Sequence, residues 1–289
     1  MASLGAEFKL SAINSPPSAI PETLAVRLKR HEPTEKMREQ IDNLFKSIDE
    51  KPLFYIESGS RLWGIASPDS DYDVRGFHLQ SKQQFFDFKK HRDIIEVMDG
   101  DFDFVSYDID KMFGLLVKSN PTVFEWIRAN IVYFNELPAW TTFQQDIITN
   151  FDFKALFYHY ISLAKGNINL METGKKFTYK TAFYCIRGLL SADLATKQII
   201  PELLIDDLFN QFDKDNDVLK IAKDSLERKK QQTEKEEVLE SDKQKILQAI
   251  NDFTRQLENK APESSNNRQK LESILTEYSF QLKTKIYGH

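Results

Sequence analysis

The chain has 289 residues, of which 41% are hydrophobic and 29% charged, a composition that is typical of folded globular proteins and excludes disorder over most of the length. Its formal net charge of -5 lacks the basic excess that usually marks binders of long nucleic acids, although it leaves room for a local basic patch. The single cysteine, Cys185, excludes an internal disulfide and a cysteine-based zinc site.

We expect a cytoplasmic protein with no membrane segment. No apolar run approaches the length needed to cross a bilayer. The start, "MASLGAEFKLSAINSPPSAIPE", lacks the charged-then-apolar layout of a secretory signal. Residues 1–33 are rich in Pro and Ser and carry no sustained period, so they are predicted to form an N-terminal arm.

Residues 34–115 predict a small strand-rich core. Thr34 is a suitable N-cap for an amphipathic helix, and "PLFYIES" then reads as a short strand that ends at Gly59. A short helical turn is expected in "RLWGIAS", and Asp69 is expected to cap the turn that follows. "DYDVRGFHLQ" and the two halves of "DIIEVMDGDFDFVSYD" supply further strands.

Residues 116–289 predict a helical domain, because their apolar positions recur at helical spacing. Its C-terminal part is rich in charge, and an apolar stripe runs through that part at Ile246, Leu247, Ile250, Phe253 and Leu257. The expected fold class is therefore α+β, with a mixed sheet followed by an all-helical C-terminal domain.

Paired acidic residues are the first chemical signal. Asp71 and Asp73 flank Tyr72, so on a strand both carboxylates point to the same side. Two carboxylates so close repel each other unless a cation lies between them. Hard oxygen ligands suit Mg²⁺ or Mn²⁺, and the pair therefore predicts a divalent metal site that also accepts phosphates.

A third carboxylate is expected from the next strand, where Asp101, Asp103 and Asp108 compete for the role. We choose Asp103 because it lies inside the strand. Asp108 comes just before a predicted helix and suits its N-cap. Three carboxylates on adjacent strands fit a site for two metal ions.

The turn at Gly59 and Ser60 predicts a phosphate site. Glycine lets backbone N–H groups approach a phosphate closely, and the Ser60 hydroxyl adds a donor. Arg61, which follows them, is a candidate for the same nucleotide site, and a salt bridge to an acid of the core is the alternative that stays open.

The spacing of these motifs resembles the nucleotidyltransferases of the DNA polymerase beta superfamily. The blocks "GSRLWGIASPDSDYDVRGF", "DFDFVSYDIDKMFGLLVKSNPTVFEWI", "HYISLAKGN" and "KTAFYCIRGLLSA" are similar, in order, to the group called the RNA repair pathway DNA polymerase beta family. The resemblance implies a small polymerase beta-like core with a helical domain behind it. It also implies a nucleoside triphosphate substrate, Mg²⁺ or Mn²⁺, and pyrophosphate as the leaving group.

The same resemblance implies roles for individual residues. Gly59 and Ser60 would hold the triphosphate, and Asp71 and Asp73 would hold both metals. Asp103 would bind the catalytic metal and help to deprotonate the acceptor. Three further candidates for nucleotide binding lie on one face of a predicted helix: Lys180, Tyr184 and Arg187. Packing over the helical core is the open alternative for these three.

The leading hypothesis is a Mg²⁺-dependent nucleotidyltransferase that transfers a nucleoside monophosphate to an acceptor hydroxyl, with a tRNA or other RNA 3′ end as the acceptor that the family name suggests. Two alternatives stay open. One is a nucleotide-binding regulatory protein that resembles an antitoxin and binds a partner protein. The other is a protein nucleotidylyltransferase (an AMPylase), which modifies a protein hydroxyl.

Overall fold

The computed structural model describes residues 35–66, 70–213, 216–231 and 237–288. The expected N-terminal arm, the N-cap expected at Thr34 and the turn-capping role expected for Asp69 lie outside the described residues.

Five strands form one mixed sheet in the order β3-β4-β2-β1-β5. The strands are β1 (Lys51–Glu57), β2 (Tyr72–Leu79), β3 (Ile94–Asp99), β4 (Phe102–Asp108) and β5 (Val132–Asn135). Strand β1 is antiparallel to β2 and β5, and β3 is antiparallel to β4. Strands β2 and β4 are parallel, so they begin at the same edge of the sheet.

The helices that the structure describes are short around the sheet and longer towards the C-terminus. They are α1 (Glu35–Lys46), α2 (Gly59–Leu62), α3 (Lys82–Phe86), α4 (Ile109–Val117), α5 (Pro121–Ile127), α6 (Trp140–Asn150), α7 (Phe153–Glu172), α8 (Tyr179–Thr196), α9 (Ile205–Asn210), α10 (Asp217–Gln231), α11 (Glu240–Leu257) and α12 (Arg268–Tyr287).

Apolar side chains pack on both faces of the sheet. On one face, Met37 of α1 belongs to a cluster with Tyr55 and Phe104. Because side chains alternate along a strand, Phe54 and Phe77 point to the other face, where they join the large core of the helical region. That core is continuous from the sheet to the C-terminal helices. Strand β5 belongs to the sheet but lies beyond residue 115, within the range predicted to be the helical domain. The predicted domain boundary at 115/116 stays a prediction.

The C-terminal helices pack back onto the rest of the protein. The apolar stripe predicted near the C-terminus is on α11, where Ile246, Ile250, Phe253 and Leu257 are buried. Helix α12 reaches the far end of the sheet: the Tyr287 ring stacks on Phe85 at 4.6 Å between centroids, and its hydroxyl donates to the Gln80 carbonyl at 2.5 Å.

The α+β fold is confirmed, with a small mixed sheet followed by a C-terminal region in which the named elements are helices. Within the described residues, none of the helices is both long enough and apolar enough to cross a membrane.

Candidate active site

The acidic residues meet at the edge where β2 and β4 both begin. Asp73 of β2 and Asp103 of β4 are direct partners in the parallel register, and Asp71 comes just before β2. Asp71 is exposed, whereas the side chains of Asp73 and Asp103 are 29% and 26% exposed. The strand pairing thus brings together carboxylates that are thirty residues apart in sequence.

Gly59 lies directly against Asp73. The Ser58 N–H donates to the Asp73 carbonyl at 2.8 Å, which joins the end of β1 to the start of β2. Gly59 has a φ of 59°, in the left-handed region that favours glycine. A Cβ at this position would lie 2.1 Å from Asp73 Oδ2. The glycine is therefore required twice, for its backbone conformation and for the close approach of the carboxylate.

A cavity of about 240 Å³ opens beside this turn. Its lining residues are Gly59, Ser60, Trp63, Ser70, Asp71, Asp73, Lys180 and Tyr184. Two strand-edge carboxylates, the Gly-Ser turn and one end of α8 therefore face the same space. Trp63 and Ser70 were not among the predicted site residues.

Of the three candidates for the third carboxylate, Asp103 is the one beside Asp73. Asp101 precedes β4 and forms an exposed ion pair with Lys36 at 3.3 Å. Asp108 is the N-cap of α4, as expected, and accepts from the Asp110 N–H at 2.9 Å. None of the three lines the cavity, so what distinguishes Asp103 is its direct pairing with Asp73.

Arg75 lies between the carboxylates of Asp73 and Asp103 and contacts both. This contact was not predicted from the sequence. The Arg75 Nη2 donates to Asp73 Oδ1 at 2.9 Å and to Asp103 Oδ2 at 2.7 Å. Burial raises the pKa of Asp73, and the nearby negative charges of Asp103 and Asp71 raise it further. Arg75 lowers it by less, so the pKa of Asp73 is raised overall. The spacing of Asp73 and Arg75, two apart on one strand, was the available signal.

Glu57, at the end of β1, is a second residue that the sequence analysis missed. Its side chain is 1% exposed, and its Oε1 accepts from the Asp73 N–H at 3.1 Å. The hydroxyl of Tyr133 on β5 donates to the other carboxyl oxygen. Burial raises the pKa of Glu57 to about 7, although these two hydrogen bonds act in the opposite direction. The sequence signal that could have found Glu57 is an acidic residue at the end of an otherwise apolar strand.

Arg61 binds the loop between α2 and β2. Its guanidinium donates to the carbonyls of Ser70 at 2.6 Å and Asp71 at 3.1 Å. It also lies over the Tyr72 ring, 4.0 Å from the centroid. The structure thus gives Arg61 contacts that hold the backbone around Asp71, and its role in nucleotide binding stays a prediction.

The three residues predicted on α8 have different surroundings. Lys180 and Tyr184 line the cavity. Arg187 is 5% exposed and lies 3.4 Å from the buried carboxylate of Glu125. Its guanidinium stacks on the Trp63 ring at 3.8 Å. Arg187 therefore supports the cavity wall from behind, and its predicted contact with nucleotide is not tested.

The carboxyl group of Glu125 lies in the core beside Arg187. Burial is the largest single influence and raises the pKa of the Glu125 carboxyl, but Arg187, the Tyr160 hydroxyl, Arg128 and His159 together act in the opposite direction, and the pKa is lowered. Tyr160 donates to Glu125 Oε1 at 2.6 Å. The Glu125–Arg187 pair thus depends on both charges being present.

The donor chemistry of the site suits a divalent metal. Asp71, Asp73 and Asp103 offer the hard carboxylate oxygens that Mg²⁺ and Mn²⁺ prefer. Within the described ranges, no three or more His, Cys, Asp or Glu side chains are arranged as a metal-binding group. The carboxylate of Asp103 is instead bound to Arg75 at 2.7 Å, so Arg75 competes with any cation for the oxygens of Asp103.

Comparison with known proteins identifies relatives of this chain. An uncharacterised protein of Bacillus subtilis strain 168, YcgL, is 33% identical over 203 residues, which is 67% of this chain and 77% of YcgL. The uncharacterised protein MJ0002 of Methanocaldococcus jannaschii is 32% identical over 146 residues, which is 48% of this chain and 58% of that protein.

One solved structure, described as a nucleotidyltransferase-like protein from Exiguobacterium sibiricum, aligns over 86% of this chain and 80% of its own length, with 11% identity and a TM-score of 0.30. At that score the likeness says nothing about activity. The family model of the RNA repair pathway DNA polymerase beta family matches residues 22–277. This protein therefore belongs to the RNA repair pathway DNA polymerase beta family.

Proposed function

We propose that the protein is a metal-dependent nucleotidyltransferase that moves a nucleoside monophosphate from a nucleoside triphosphate to an acceptor hydroxyl. The observation that carries the proposal is the cavity in which Gly59, Ser60, Asp71, Asp73 and Lys180 come together. Phosphoryl transfer depends mainly on positioning and on electrostatic stabilisation, and these residues supply groups for both. Family membership supports nucleotidyl transfer as the reaction class.

The Gly-Ser turn is suited to hold the triphosphate. Gly59 and Ser60 open helix α2, and the first N–H groups of a helix have no partners within that helix. Such groups, together with the Ser60 hydroxyl, donate well to phosphate oxygens. Because Gly59 has no Cβ, the carboxylate of Asp73 can lie against the same turn.

The acidic edge is suited to hold divalent ions. Asp71 and Asp73 would hold the ion that accompanies the phosphates, and Asp103 would complete the site for the ion at the acceptor. When bound, such ions lower the pKa of an attacking hydroxyl and neutralise charge on the phosphates. Asp103 would also be placed to accept the proton of that hydroxyl.

Lys180 and Tyr184 of α8 also line the cavity. The ammonium group of Lys180 is 5.8 Å from the centroid of the Tyr184 ring. A cation at this wall would neutralise phosphate charge, and the ring offers a surface for the sugar or the base. The cavity volume is below the roughly 300–1,000 Å³ of typical small-molecule sites, so part of the nucleotide would extend beyond it.

We propose an RNA 3′ end as the acceptor, which is what the family description favours, and the cytoplasm as the location. The location is proposed from the cysteine content: with a single cysteine, Cys185, the chain has no internal disulfide to form, as is usual for proteins of a reducing compartment.

The test is transfer of label from each α-³²P nucleoside triphosphate in the presence of Mg²⁺, total RNA and lysate protein. Label that is removed by ribonuclease and withstands protease supports an RNA acceptor. Label that is removed by protease and withstands ribonuclease contradicts the RNA assignment and indicates a protein acceptor. No transfer to any acceptor, with intact folded protein, contradicts the proposed reaction.

A further inference from the structure

Arg75 places a positive charge between Asp73 and Asp103, two carboxylates that take part in the proposed reaction. The Arg75 side chain is 15% exposed and forms ion pairs with Asp73 and Asp103. Its Nη1 also donates to the carbonyls of Val74 at 3.1 Å and Asp103 at 2.5 Å. Strand alternation places Asp73 and Arg75 on one face of β2. The guanidinium therefore has a defined position at the sheet edge.

The two carboxylates are engaged unequally. Both oxygens of Asp103 contact Arg75, Oδ2 at 2.7 Å and Oδ1 at 3.2 Å. Asp73 contacts Arg75 through Oδ1, while its Oδ2 lies against Gly59 at the cavity. Asp71 and Asp73 line the cavity, and Asp103 is not among its lining residues.

We infer that Arg75 is an internal counter-cation that occupies Asp103, so that the two metal ions of the proposed reaction bind unequally. The first ion binds at Asp71 and Asp73 while Arg75 stays in place. The second ion needs Asp103 and binds only when the guanidinium releases that carboxylate. This inference rests on the proposed function, because it takes the three aspartates as metal ligands.

Charge and hydrogen bonding both support this order. Adjacent carboxylates repel each other unless a cation lies between them, and the guanidinium fills that role before any metal arrives. Charge-assisted contacts of a guanidinium with a carboxylate are among the stronger hydrogen bonds in proteins. An ion that takes Asp103 has to replace two such contacts, which weakens its apparent affinity. Asp71 has no ion pair with Arg75 among the described contacts.

The experiment is a Mn²⁺ titration of the full chain, with free Mn²⁺ measured by electron paramagnetic resonance and without nucleotide. The wild type should bind one ion, and a second at least about tenfold more weakly. Arg75→Gln should tighten the second site by at least about tenfold. Lys36→Gln is the matched control, because it removes a positive charge from the exposed Lys36–Asp101 pair at the same end of the sheet. It should change either affinity by less than about twofold.

A second variant covers the case in which Arg75→Gln does not fold without metal. Arg75→Lys keeps the positive charge but loses the two-pronged contact, and it should tighten the second site by a smaller factor, about threefold. The inference is overturned if the wild type binds two ions equally, or if both variants leave the second affinity unchanged or weaker.

Failure of the inference is distinguishable from failure of the proposed function. If Asp71→Asn with Asp73→Asn abolishes Mn²⁺ binding while the Arg75 variants match the wild type, the inference alone is wrong. If the wild type without nucleotide binds no Mn²⁺ that depends on Asp71 and Asp73, the inference is overturned. The metal site of the proposed function is wrong only if a non-hydrolysable nucleoside triphosphate also fails to bring in an ion that depends on these two residues.

Discussion

Gly59 and Asp73 approach so closely that a Cβ on the glycine would lie 2.1 Å from Asp73 Oδ2. Gly59→Ala would thus add both left-handed backbone strain, which costs roughly 1–2 kcal/mol, and a clash with the carboxylate. We predict that nucleotidyl transfer falls by about 100-fold, because small displacements of reacting groups have effects of this size. The assay is initial rate with labelled nucleoside triphosphate.

Gly64→Ala is the control for this prediction. Gly64 also has a left-handed φ of 72°, but a Cβ there would meet its nearest neighbour, Leu204 Cδ2, at 3.5 Å, an ordinary contact. It should lose a similar free energy of unfolding to backbone strain and keep transfer within about threefold. Equal loss of transfer in both variants would mean that strain, and not the position of Asp73, explains the result.

Glu57 predicts a specific dependence of stability on pH. Its pKa is raised to about 7 in the folded protein, so the stability that it contributes is complete below its unfolded pKa, which is near 4.5. That stability is lost as the pH rises towards 7. Glu57→Gln imitates the protonated form at every pH. The free energy of unfolding of the variant should therefore exceed that of the wild type by an amount that grows as the pH rises from 4.5 to about 7. The difference should reach on the order of 3 kcal/mol at most.

The measurement is denaturant unfolding of the wild type and Glu57→Gln from pH 4 to pH 8. A difference between the two proteins that stays constant over this range would show that Glu57 does not titrate in it. The amide retains an acceptor for the Asp73 N–H, which contacts Oε1 in the native protein. Transfer activity of the variant should for this reason be retained.

Lys180 and Arg187, two basic residues on one helix, should separate into different roles. Arg187→Met leaves the buried Glu125 without its partner and should cost roughly 3–5 kcal/mol in the free energy of unfolding. Lys180→Met removes a cation from the cavity wall and should change stability by less than about 0.5 kcal/mol. It should instead weaken binding of nucleoside triphosphate.

Unfolding and nucleotide titration by fluorescence check this pair together. The Glu125→Gln background provides the control, because without the carboxylate charge Arg187→Met should cost less than it does in the wild type. Normal stability of Arg187→Met together with lost nucleotide affinity would assign Arg187 to the nucleotide, as the sequence analysis expected.

Local pattern was sufficient for much of the fold and for part of the site. Alternation placed Asp73 and Asp103 on strands, and the N-cap position separated Asp108 from the strand interior. These properties follow from the chemistry of neighbouring residues, so a single sequence carries them. The apolar stripe of α11 was readable for the same reason.

Long-range pairing was not readable. Strand β5 is four residues long, and nothing local indicates that it joins β1. Its Tyr133 nevertheless completes the surroundings of Glu57. The family resemblance implied a nucleotide contact for Arg187, which stays a prediction. The burial of its side chain accompanies a contact with Glu125, 62 residues away in sequence, and no local pattern indicates that contact.

The most direct test of the central claim compares single substitutions of four aspartates in the transfer assay. Asp71→Asn, Asp73→Asn and Asp103→Asn should each lower transfer by more than about 100-fold, since changes to mere outer-shell partners of metals already cost 10–100-fold. Asp101→Asn, in an exposed ion pair two residues from Asp103, should stay within about threefold. Full transfer by Asp71→Asn and Asp73→Asn would contradict the account.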